Sequence, residues 1–229
     1  MEAIKEIPFK LDTAALLQRV RIRPGSDDAQ EFEQLLRLAQ MVGRPKALYT
    51  EVFVGLSGED TVSLNGTNFT SLMLRKNLTE VERVFPFVVT CGREMDQVDW
   101  PDDNILKQFW WDAIKESLLM SAYQFLQELL EHRYLLNKTA SMSPGSGDVN
   151  VWPIEQQREL FALLGDVREQ IGVELTDSFL MIPNKTVSGF HFPTEKDFRT
   201  CQVCHREQCP SRRAPFDLEL YETIQHSQV

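Results

Sequence analysis

Leu175-Thr176-Asp177-Ser178-Phe179-Leu180-Met181-Ile182-Pro183, followed by Val187-Ser188-Gly189-Phe190, is the stretch from which the architecture is read. Thr176 to Ile182 and Thr186 to Phe192 read as a strand pair joined by Pro183-Asn184-Lys185. Immediately upstream, Trp152-Pro153 opens a helix, with Pro153 at a first-turn position. That helix is expected to run to about Ile171, where Gly172 ends it. Before it comes a polar loop, Asn137 to Val151, which gathers Ser141, Ser143, Pro144, Gly145, Ser146 and Gly147. Loops of this composition on rigid scaffolds often carry function.

Further back, Asn104 to Leu136 is the longest helical stretch, with no Gly or Pro inside it. Phe109, Trp110, Ala113, Ile114, Ser117, Leu118, Ser121, Ala122, Phe125 and Leu129 follow the helical period. So much apolar surface predicts a central core helix. Val84 to Thr90 is an apolar β-type run in which Pro86 makes an imperfect central strand. Ala47 to Val54 and Thr61 to Leu64 read as strands, and Asn65-Gly66 as a turn. Residues 12–22 and 27–42 read as helices, the second with Ser26 and Asp27 as cap candidates and Gly43 and Pro45 as its stop. The resulting class is α+β: a mixed or antiparallel sheet, a long central helix and flanking helices. Residues 1–196 are expected to form the α+β domain and 197–229 a cysteine-bearing tail.

Composition narrows the function. The 229 residues carry a formal net charge of -10, and a general nucleic-acid binder needs a basic face. No apolar run approaches the roughly 20 residues that span a bilayer. Met1-Glu2-Ala3-Ile4-Lys5-Glu6 lacks a signal-peptide core, so a cytoplasmic location is expected. There, four cysteines read as thiols or metal ligands rather than disulfides.

The Leu175–Pro183 and Val187–Phe190 segments resemble the L-T-E-S-x-x-M-x-P…V-S-G stretch of the reactivation domain of cobalamin-dependent methionine synthase. Ser143-Pro144-Gly145, about thirty residues upstream, sits where that family carries an R-P-x-P-G-Y loop. Order, spacing and an intervening helix ending in Ile171-Gly172 agree across residues 140–192. The resemblance implies a domain that binds S-adenosylmethionine and docks over a corrinoid supplied by a partner protein. With an electron from a separate donor, it returns cob(II)alamin to the methylated form. A free-standing homologue would act in trans on a corrinoid protein or a corrinoid-dependent methyltransferase.

Two side chains depart from the pattern. The family's loop Arg, which holds the ligand carboxylate, aligns with Ser141, and the loop Tyr that approaches the corrinoid aligns with Ser146. A permanently charged planar fork and a hydroxyl are chemically far apart. Ser143, Pro144, Gly145, Ser146 and Gly147 remain the candidate ligand loop, and Phe198 the candidate contact to the adenosine. For Phe198 the competing reading is an ordinary core phenylalanine. A non-catalytic module that binds a corrinoid protein without the methyl donor is the second reading of the whole chain.

Cys201-Gln202-Val203-Cys204-His205-Arg206-Glu207-Gln208-Cys209-Pro210 is a separate signal. A C-x-x-C pair is the usual first half of a zinc or iron–sulfur site. Cys91, at the end of the Val84 strand, would complete a set of Cys91, Cys201, Cys204 and Cys209; His205 is the local alternative. The spacing does not separate zinc from iron–sulfur. Arg206, Arg212 and Arg213 make this tail locally basic in an acidic chain, which favours an anionic partner or simply balances charge. Glu128 and His132 share a face of the long helix and read as solvated; Trp110-Trp111 read as core.

Overall fold

The structure, a computed structural model, describes residues 1–98, 104–146, 151–195, 198–209 and 212–225. In the first half, β1 (Glu2–Ile4), α1 (Thr13–Arg19) and α2 (Asp27–Val42) precede β2 (Lys46–Tyr49), β3 (Val52–Ser57), β4 (Thr61–Leu64) and β5 (Thr67–Thr70). Next come α3 (Leu72–Asn77), β6 (Arg83–Thr90), α4 (Ile105–Tyr134) and β7 (Thr139–Met142). The second half adds α5 (Gln157–Leu163), α6 (Val167–Ile171), β8 (Glu174–Leu175), β9 (Met181–Ile182), β10 (Thr186–Pro193) and α7 (Leu218–Gln225).

Every strand pair is antiparallel, and eight strands form one sheet around β6. Along one edge β6 pairs with β10, which in turn pairs with β7. Along the other it pairs first with β3 and then with β2. Both faces of β6 are covered. Phe85, Phe87, Val89 and Cys91 face the core built by α1, α2 and α4, while Val84 and Val88 face a second core under α3, α5 and α6. A strand buried on both faces reads as a continuous apolar run, as VFPFVV does.

Pro86 is compatible with this central position because of where it falls. Its carbonyl accepts from Thr50 N at 3.1 Å, so its nitrogen faces the same edge, at the gap between β2 and β3. The missing N–H therefore forgoes the return bond to Thr50 O, and the ladder is interrupted there while its register runs on. The strand expected over 47–54 is broken at this point into β2 and β3. Asn65 and Gly66 both adopt positive φ, 48° and 84°, the two-residue turn that joins β4 to β5.

The long helix α4 spans 30 residues, about 45 Å at 1.5 Å per residue. Asn104 caps it, its side chain accepting from Lys107 N at 3.1 Å. Ile114, Leu118, Ala122, Leu126 and Leu130 form its buried stripe, and Trp110 and Trp111 are buried as expected. Phe109 is instead 57% exposed, on the side of the helix turned away from buried Trp110 and Trp111.

Two further expectations are corrected. The helix expected from Trp152 to Ile171 is interrupted: Gly165 turns to φ 69°, and Asp166 caps a new helix, α6, accepting from Glu169 N at 2.9 Å. The partner of the 186–192 strand is β6 and β7, not residues 176–182. Met181–Ile182 folds back on Glu174–Leu175 instead. Thr176 closes that small hairpin: its backbone N donates to Leu180 O at 2.8 Å, and its hydroxyl accepts from Leu180 N at 3.0 Å.

The tail after β10 packs on the second core. Phe198 and Val203 are buried there, and Leu220 and Tyr221 pack against it. The boundary expected at 196/197 lies outside the described residues. Among the described residues, no helix is long and apolar enough to cross a membrane.

Candidate functional site

The two sequence motifs meet at β7 and β10. The chain leaves β7 at Met142 and turns through Ser143-Pro144-Gly145-Ser146. Ser146 N donates to Ser143 O at 3.1 Å, and Gly145 has φ 73°. Pro in the second position and a positive-φ Gly in the third make this a type II turn. Gly145 N donates to Trp152 O at 2.9 Å, and Trp152 is fully buried between Phe69 and Phe190. The turn is thus tied to the second core by an aromatic anchor.

Val187-Ser188-Gly189 explains itself in the same place. Ser188 donates to Gln157 Oε1 at 2.8 Å, both groups being buried, which holds α5 against β10. Gly189 lies directly beneath the β7 exit, where a side chain has no room. Val187 faces a cleft.

That cleft has a volume of about 350 Å³, within the roughly 300–1,000 Å³ of small-molecule sites. Its apolar wall comprises Phe87, Val187, Leu119 and Met120, with Tyr123 and Phe198. Ser141, Ser143 and Ser146 line the loop side, and Arg199, Thr200, Cys201 and Arg213 the tail side. Ser141 and Tyr123 share a 2.8 Å hydrogen bond across the cleft floor. Phe87 meets the Tyr123 ring edge-on at a centroid distance of 5.7 Å.

Of the expected ligand contacts, Ser143, Ser146 and Phe198 line this one cleft. Pro144 and Gly145 shape its turn without lining it. Gly147 lies outside the described residues. Phe198 is buried in the second core and also lines the cleft. Tyr123, Leu119 and Met120 lie outside the apolar period read along α4, and only the fold brings them to the cleft.

Beside the cleft floor, His191 pairs across the ladder with Ser141. It is buried, and its Nε2 has no hydrogen-bond partner among the described residues. Burial pushes it down to about 4, against the opposing pull of Glu131 on α4. Burial works to raise Glu131, but hydrogen bonds from Gln127 and Thr139 outweigh it and hold that carboxyl below its usual range. No sequence motif marks this pair, since the two residues meet only through the sheet.

The four-cysteine ligand set is not assembled. Among the described residues, no three His, Cys, Asp or Glu side chains form a group able to hold a metal. Cys91 is fully buried in the α4-side core, and burial pushes its thiol up to about 12, whereas a metal needs the thiolate. Cys201 lines the cleft instead. The stapling role expected of a metal falls to Arg212, which donates to the carbonyls of Cys201, Cys204, Arg206 and Ala214 at 2.7–3.0 Å. His205 packs against the rings of Phe216 and Tyr221, at 4.7 and 4.4 Å.

Residues 102–213 match the family model of the vitamin B12 dependent methionine synthase activation domain. That segment is similar to the activation domain over just under half of the chain. The match contains α4, the loop, the hairpin, β10 and the cleft-lining part of the tail. Among solved structures, the fold is similar to that of the MetH reactivation domain bound to AdoHcy, with a TM-score of 0.55 and 16% identity. The likeness covers 83% of this chain and 70% of that one. No curated protein matches the chain significantly. At 16% identity the structural likeness speaks for the fold, and it extends that fold over the first half, where the sequence offered no motif.

Proposed function

We propose that this chain is an activation module acting in trans on a corrinoid protein or corrinoid-dependent methyltransferase, and that its cleft binds S-adenosylmethionine. The observation that carries the reading is the convergence of Ser143, Ser146 and Phe198 on one cleft. These are residues that the activation-domain resemblance singles out, and they come from segments more than fifty positions apart.

In the proposed reaction a partner's electron donor reduces cob(II)alamin by one electron. The resulting cob(I)alamin takes the methyl group from the sulfonium: a Co–C bond forms, an S–CH3 bond breaks, and S-adenosylhomocysteine leaves. The protein's part is positional. Phe87, Leu119, Met120, Tyr123 and Phe198 offer an apolar bed for the adenosine. The Ser143–Ser146 turn, held by Trp152, sets where the ligand ends and the partner begins.

A second reading, a corrinoid-protein-binding module without the methyl donor, draws on Ser141. Its hydroxyl is bonded to Tyr123 and offers a carboxylate no charge. Calorimetry with S-adenosylmethionine and S-adenosylhomocysteine, with and without a cob(II)alamin-loaded corrinoid protein, separates the two. Binding at micromolar dissociation constants supports the first. Absence of binding in both settings overturns it in favour of the second.

A further inference from the structure

The cleft is charged in a way the rest of the chain is not. In a protein of formal net charge -10, its lining contains no Asp or Glu and two arginines, Arg199 and Arg213. Both come from the tail, and neither forms an ion pair among the described residues. Their neighbour Arg212 is spent entirely on tail carbonyls. That bonding closes the 201–214 turn in which Arg213 sits, and Arg213 N is itself tied to Cys201 Sγ at 3.4 Å. The tail's backbone is therefore fixed, and Arg199 and Arg213 are exposed residues that line the cleft.

The opposite wall lacks a cation. Ser141 occupies the place of the resembled family's loop Arg, and its hydroxyl is engaged by Tyr123. An amino-acid carboxylate entering this cleft meets hydroxyls on the loop side and guanidiniums on the tail side. Guanidinium forks suit carboxylates, often bidentately.

We infer that Arg213 and Arg199 hold the carboxylate of the ligand's amino-acid end, so that the tail supplies the charge the loop has lost. This rests on the reading that the cleft takes an S-adenosyl compound. It assigns the tail a binding role and inverts the side from which the ligand's charged end is gripped.

The test uses the full chain and two probes: S-adenosylhomocysteine, and 5′-methylthioadenosine, which keeps the adenosine and lacks the amino acid. The expected result is that wild type prefers S-adenosylhomocysteine by about tenfold or more. The Arg199→Ala/Arg213→Ala variant should lose that preference while its affinity for methylthioadenosine stays unchanged. Arg213→Lys should recover only part of it. Both arginines are exposed, so an unchanged thermal melt checks that the variants fold. A double variant that retains the wild-type preference overturns the inference, as does a wild type that binds the two probes equally; in either case the S-adenosyl reading survives. Binding of neither probe by wild type overturns that reading and the inference together.

Discussion

A Cβ placed on Gly189 would stand 2.3 Å from the Met142 carbonyl oxygen. Real Cβ atoms do not approach backbone this closely, and neither partner is the free end of a side chain. Gly189 is therefore what lets the Ser143–Ser146 turn leave β7 over β10. Gly189→Ala should displace the Met142–Ser146 segment and destabilise the fold by about 1–3 kcal/mol, the usual cost of overpacking. Denaturant unfolding of the variant checks this. A melt identical to wild type would mean the two strands can part at no cost.

His191 makes stability depend on pH. Its folded value, about 4, lies below its ordinary 6.5 because burial disfavours the charged ring. Between those values the unfolded chain binds a proton that the folded chain refuses, so stability falls as pH drops from 6.5 toward 4. The full loss is on the order of 3 kcal/mol. The carboxyl of Glu131, the charged group that faces it, is held below its usual range by hydrogen bonds from Gln127 and Thr139, against the effect of burial. Urea unfolding at pH 7 and pH 5 should show the slope, and His191→Phe should flatten it.

Thiol accessibility divides the cysteines. Cys201, Cys204 and Cys209 are partly exposed and Cys91 is buried. With its thiol near 12, Cys91 holds almost no thiolate at pH 8. A disulfide reagent should label the three tail cysteines of the native protein and reach Cys91 only after unfolding. Equal labelling of all four in the native state would contradict the placement of β6.

Tyr123→Phe removes the 2.8 Å bond to Ser141 and leaves a hydroxyl on the cleft floor without that partner. The expected cost is about 0.5–1.5 kcal/mol. Because Phe keeps the ring that packs on Phe87, the apolar bed survives. Calorimetry should find the affinity for methylthioadenosine little changed. A loss beyond tenfold would mean that the hydroxyl, not the ring, meets the ligand.

How much of the fold and the cleft is legible in the sequence depends on how locally each feature is coded. The buried strand β6 and helix α4 announce themselves through long apolar patterns. The Pro144-Gly145 turn and the Asn65-Gly66 turn do so through residues whose backbone preferences are strong. The break at Gly165 does not, because a single glycine within a helical pattern is ambiguous until Asp166 is seen to cap a second helix. Residues 176–182 alternate like a strand, yet Thr176 uses its side chain to close a hairpin on itself. Pro86 interrupts the ladder as its missing N–H implies, but that β2 and β3 share one β6 edge on either side of it is a fact of topology. The cysteine spacing suggests a metal, but spacing says nothing of which core Cys91 faces. Tyr123 and His191 are hidden for the same reason: each acquires its surroundings from residues on other elements.

The Arg212 knot has a consequence for how such a cleft can diversify. It closes the tail turn using carbonyl groups, which every residue type provides equally. Apart from Cys201, whose sulfur accepts from Arg213 N, the positions that Arg212 binds contribute only their backbone to the knot. The tail wall of the cleft is in effect a plate bolted to the sheet, and exchanging side chains such as Arg199 or Thr200 would change what the cleft meets while leaving β6, β10 and α4 untouched.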